Sequence, residues 1–137
     1  MRAKTLSIVA LFPLFALLLS SGTAAAQAGA GTLPAGVTEK MISDGGNVFK
    51  GSGLCFACHG PEAKGIPGLG ADLTDPEWIH MDGSYEKIVE LITAGTASAA
   101  GVAMPPKGGS AISEADVKAV AAYVWRLSHP GDEASKR

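Results

Sequence analysis

The chain holds two cysteines, and they stand three residues apart with a histidine directly behind them: Cys55-Phe56-Ala57-Cys58-His59. On a helix, residues three and four apart lie on one face, so this spacing places two thiols and an imidazole on one small surface. A zinc or iron–sulfur site of the four-cysteine type needs a second pair, which the sequence lacks. A thioredoxin-like redox pair needs a βαβ setting, and no segment here alternates as a strand. A disulfide would occupy the cysteines and leave His59 unexplained. Covalent attachment of haem uses all three residues. Each thiol adds to one vinyl group of the porphyrin, and the adjacent imidazole falls beneath the iron.

A large group at the centre also answers a shortage elsewhere. At 137 residues the chain has room for one domain. It contains 18 Gly and 8 Pro against only eight aromatic residues, so much of it must be loop and turn. Three helical patterns are visible. Residues 38–50 start at a capping Thr38 and are interrupted by Gly45 and Gly46, each less favourable than alanine by about 1 kcal/mol. Two glycines in so short a helix suggest close approach of another backbone. A second helix runs from a capping Ser84 to Ala94, with Tyr85, Ile88, Leu91 and Ile92 as its stripe and Gly95 as its stop. In the third, Ser113 is the cap, Glu114 and Asp116 occupy the first turn, and Val117, Val120, Ala121, Val124 and Leu127 keep helical spacing up to Pro130. Long Gly/Pro loops at 60–83 and 95–112 need something to organise them, and three short helices bury little surface by themselves. The expectation is an all-α fold of three to four short helices and long loops wrapped around one covalent haem.

The N-terminus reads as an address. Arg2 and Lys4 precede an apolar run, Leu6 to Leu19, which is followed by small residues up to Ala26. This is the pattern of a secretory signal peptide, residues 1–26, and the run is short of the roughly 20 residues of a membrane span. The expected organisation is then a flexible linker at 27–37, the haem domain at 38–129 and a flexible tail at 130–137. Without residues 1–26, nine basic residues face thirteen acidic ones. That mild acidity argues against a nucleic-acid partner, and no later run supports membrane insertion.

The iron's second axial ligand has five candidates: Met41, Met81, Met104, His80 and His129. Met41 fits a helical stripe, where packing is the better explanation. Met104 stands in Gly101-Val102-Ala103-Met104-Pro105-Pro106, a loop with no apolar face to fill and stiffened by two prolines. It is the favoured ligand, with Met81 and His80 as alternatives, and an open iron would mean a haem enzyme or gas sensor instead. Lys107, next to that loop, is placed at the exposed haem edge or simply in solvent.

These positions resemble the small class I cytochromes c of bacteria. The matching residues are Gly45-x-x-x-Phe49, Cys55–His59 with Gly60, Gly65-Ile66-Pro67-Gly68-Leu69, Met104-Pro105 and Ala122-Tyr123-Val124. The run Leu73-Thr74-Asp75-Pro76-Glu77-Trp78, with its following helix, is similar to cytochrome domains of cbb3-type oxidases and related dehydrogenase subunits. The resemblance implies the cytochrome c fold, with the first and last helices crossing where Gly45 meets Tyr123. It implies that the Pro67 carbonyl accepts a hydrogen bond from the His59 ring, and that Trp78 lies near the haem propionates. The function it implies is single-electron transfer, without catalysis of its own, between redox proteins in the periplasm. The protein would be either a diffusible monomer or a dedicated subunit of a larger dehydrogenase or oxidase.

Overall fold

The computed structural model describes residues 32–97 and 102–130. The expected signal peptide, residues 27–31 of the expected linker and the tail beyond Pro130 lie outside them. Four α-helices follow in order: α1 (Glu39–Lys50), α2 (Phe56–His59), α3 (Tyr85–Ala94) and α4 (Glu114–Ser128). A 3₁₀ turn, Pro106–Gly109, precedes α4. Among the described residues only isolated β-bridges interrupt the loops, and no described helix is long and apolar enough to cross a membrane.

α1 packs principally on α4. Thr38 caps α1 through its hydroxyl, which accepts from the Met41 N–H at 3.2 Å. Gly45 is where the two helices meet. A Cβ there would lie 2.0 Å from the Ala119 carbonyl oxygen and 2.9 Å from Cβ of Tyr123. The close approach expected from the glycine pair is thus onto α4's main chain as well as onto the tyrosine. Gly46 is looser, with the Tyr123 ring 3.3 Å from its would-be Cβ. One turn on, Phe49 is fully buried, its ring 5.4 Å from that of Tyr123. At the far end of α4 the Arg126 guanidinium reaches back to Glu39 at 3.1 Å.

Ser113 and Asp116 form a reciprocal capping box on α4. Ser84 behaves otherwise than expected. Its hydroxyl and N–H both donate to Asp82 Oδ1, at 2.7 and 2.9 Å, and no side-chain cap forms on α3. An aspartate two residues upstream closes an Asx turn and captures the hydroxyl first. The expected linker differs too, in its last residues. Val37 is buried, and Leu33 packs against the core. An apolar residue just before the N-cap pins the entry of the chain, so residues 33–37 belong to the folded body.

Gly45→Ala will lower stability by about 2–3 kcal/mol despite alanine's better helix propensity, because its Cβ would stand 2.0 Å from a main-chain oxygen that packed helices cannot move aside. Gly46→Ala will be near neutral; urea titration of the two variants checks this. The Asp116 carboxyl is held below the ordinary aspartate range, first by the Ser113 hydroxyl and then by the Ser113 N–H. A lowered carboxyl stabilises the fold fully above its unfolded value, near pH 4, and loses that contribution as pH falls through the folded value. Asp116→Asn will therefore be less stable at neutral pH and show a flatter acid limb in stability measured against pH.

Candidate functional site

α2 is a single turn, closed by hydrogen bonds from Cys58 N–H and His59 N–H to the Cys55 carbonyl at 3.2 and 3.0 Å. Leu54, at φ 55, turns the chain into it, and Gly60, at φ 77, turns the chain out. Residues four apart share a helical face. Accordingly Cys55 and His59 both line one cavity, while Cys58, half-buried on the same turn, is outside that lining. No disulfide joins the two cysteines. Burial, chiefly, pushes the Cys55 thiol above its ordinary value.

The rest of the lining comes from every packed element. α1 supplies Phe49, α3 supplies Ile88, Leu91 and Ile92, and α4 supplies Val120 and Val124. The loop between α2 and α3 adds Leu73, Trp78 and Met81, and the segment before the 3₁₀ turn adds Met104. The lining is apolar except for one thiol, one imidazole and two thioethers. An open cleft adjoins it, sharing Met81 and Leu91 and lined also by His80, Asp82, Lys87 and Glu90.

The His59 ring is fixed by its Nδ1, 2.8 Å from the Ala71 carbonyl oxygen. A carbonyl only accepts, so Nδ1 carries the proton and Nε2 keeps its lone pair for a metal. The expected partner was Pro67, and the structure assigns that role to Ala71. The reason is local. Ile66 and Gly70 bridge each other through Ile66 N–H and Gly70 N–H, and Gly68 sits at φ 76. Pro67 occupies the tip of this turn, exposed to solvent, where proline's fixed φ is useful. The returning strand, not the tip, runs beside α2: a Cβ on Gly70 would lie 2.4 Å from the Cys58 carbonyl oxygen.

Trp78 rests on Gly83, whose would-be Cβ is 2.3 Å from the indole Nε1. Of the candidate second ligands, Met104 and Met81 reach the cavity. Met41 lies half-buried on α1, His80 lines the cleft, and His129 stacks on Trp125 with ring centroids 4.4 Å apart. Lys107 is not an edge lysine. It is half-buried at φ 54, and its ammonium donates to the Ile112 carbonyl at 2.9 Å. Ala71 has no signal in the sequence, because a main-chain carbonyl leaves no trace in side-chain type. Gly95 reads there only as a helix stop, and Thr96 carries no signal of its own.

This donor set fits a haem. An apolar pocket lined from α1, α3 and α4, with a cysteine and an imidazole whose Nε2 is left for a metal, offers the side chains that would hold a porphyrin and its iron. It does not suit a bare ion: among the described residues no three His, Cys, Asp or Glu side chains stand together.

Similar proteins bear out the fold. The sequence matches the family described as cytochrome C oxidase, cbb3-type, subunit III over residues 40–124. The chain belongs to this family, and its class is the cytochrome c domain, with covalent haem c as cofactor and electron transport as its chemistry. It is 42% identical over 74 residues to the cbb3-type oxidase subunit CcoP of Rubrivivax gelatinosus, covering 54% of this chain and 22% of that one. It is 43% identical over 75 residues to the subunit FixP of Bradyrhizobium sp. (strain ORS 278), covering 53% and 23%. The chain thus spans under a quarter of the length of these two relatives. Among solved structures, cytochrome CL from Methylophaga aminisulfidivorans MPT superposes with a TM-score of 0.50 at 24% identity, covering 64% of this chain and 53% of that one. That likeness bears out the all-α cytochrome c fold.

Gly70→Ala will displace the strand that carries the Ala71 carbonyl and free the His59 ring. In the haem-loaded protein the His59 Nδ1 proton will exchange with solvent faster than in wild type, by NMR. Exchange at the wild-type rate would separate the strand from the ring.

Proposed function

We propose that this protein is an exported single-electron relay, with haem held by thioethers to Cys55 and Cys58 and its iron ligated by His59 and Met104. The observation that carries the proposal is the single cavity where Cys55, His59 and Met104 converge among apolar side chains. Haem supplies a one-electron couple at its iron. The chain supplies the surroundings. Ala71 orients the imidazole through Nδ1. Phe49, Ile88, Ile92, Val120 and Val124 exclude water, which disfavours the more positive oxidised state and raises the potential. A thioether from Met104 would act in the same direction. Trp78 lines the cavity beside Met81. The organisation supporting this function is a signal peptide at 1–26 and a haem domain at 38–129, extended by the packed residues from Leu33.

A second reading has support of its own: a haem subunit of a larger oxidase or dehydrogenase. The relatives CcoP and FixP are named as oxidase subunits.

Absorption spectra of the haem-loaded protein test the ligand set. Wild type will show a c-type reduced spectrum, a far-red sulfur–iron band when oxidised, and little response to carbon monoxide. Met104→Ala will lose the band and bind carbon monoxide. A band that survives in Met104→Ala would move the ligand role to Met81. Purification from native membranes and soluble extract separates the two readings: a relay runs at its own mass, a subunit with a larger assembly.

A further inference from the structure

We propose that Thr96 is the positioning residue for Met104, holding the thioether at the cavity through both main-chain polar atoms of the methionine. The inference rests on Met104 being the second axial ligand. Met104 follows seven residues, 97–103, that are all Ala, Ser, Gly or Val. The described residues among them, Ala97, Val102 and Ala103, are all exposed. Pro105 and Pro106 follow and have no N–H to donate. The methionine must therefore be held from outside its own segment.

Thr96 does this twice. Its N–H donates to the Met104 carbonyl at 2.9 Å, and its Oγ1 accepts from the Met104 N–H at 3.4 Å. Thr96 is in turn set by α3. Gly95 ends that helix at φ 75, its N–H bonded to the Leu91 carbonyl at 2.7 Å. A Cβ on Gly95 would lie 2.4 Å from the Met104 carbonyl oxygen and 2.8 Å from Pro106 N. The methionine's main chain thus lies directly on the end of α3, with room for glycine alone between them. Since α3 also sends Ile88, Leu91 and Ile92 into the cavity, one rigid element sets both an apolar wall and the position of the sulfur.

The contribution of the hydroxyl is separable. Valine keeps the shape and the N–H of Thr96 and removes Oγ1, so the Met104 N–H is left with only the Thr96 main-chain carbonyl of the bridge between the two residues. At 3.4 Å this bond is long, and a hydrogen bond at the weak end of the range shifts an equilibrium about twofold. Haem-loaded Thr96→Val will therefore bind carbon monoxide about twofold faster in the reduced state. It will show a weaker far-red band when oxidised and faster solvent exchange at the Met104 amide. Thr96→Ser will restore all three toward wild type. Thr96→Ala against Thr96→Ser makes the same comparison if the valine variant is not matured with haem. Wild-type behaviour of Thr96→Val in all three measurements, alongside loss of the band in Met104→Ala, would overturn the role of Thr96 and leave the ligand assignment standing. Retention of the band in Met104→Ala would overturn the ligand assignment, and this role with it.

Discussion

The contact of Gly45 with the main chain at Ala119 is the constraint from which the rest of the site follows. The chain is poor in large apolar residues and rich in glycine and proline, so only a few elements can pack tightly. By giving up a side chain at Gly45, α1 comes close enough to α4 to bury Phe49 completely and to bring Val120 and Val124 into the same wall. Interior packing is intolerant of added volume, which makes one glycine decisive for helices whose propensity it weakens. Everything else is arranged against this corner: α3 across one side, α2 and two long loops around the remainder.

Two of the cavity's lining residues are then held by hydrogen bonds to loop residues. The Ala71 carbonyl fixes the imidazole of His59. Thr96, at the end of α3, bonds the main chain of Met104. The loop between α2 and α3 is thus an organised segment, tied by its own bonds, such as Leu73 N–H to the Ala63 carbonyl and the Asx turns at Asp72, Asp75 and Asp82. Such an arrangement suits electron transfer, in which the atoms around a metal should move little between oxidation states.

The sequence made some of this legible and hid the rest, for physical reasons. Helix positions were readable because apolar spacing, caps and glycine stops act locally, and Thr38, Gly95 and the Ser113–Asp116 pair behave as their types suggest. The four-residue spacing of Cys55 and His59 was enough to place them together. Ser84 misled because hydroxyls have local competitors, here Asp82. Pro67 misled because proline type marks a turn but not the direction its neighbours' carbonyls face. Ala71 left no signal at all, since its part is played by backbone. Leu33 and Val37 were hidden in a stretch of small residues whose composition resembles a linker, although two apolar side chains suffice to bind its end to the core.

The most direct test of the account is the intact mass of the protein matured in cells that attach haem, before and after acid–acetone extraction. The account predicts the mass of the chain plus one haem, unchanged by extraction, and loss of the added mass when Cys55 and Cys58 are both replaced by alanine. A chain that carries no added mass, or one whose haem leaves with the solvent, would contradict it.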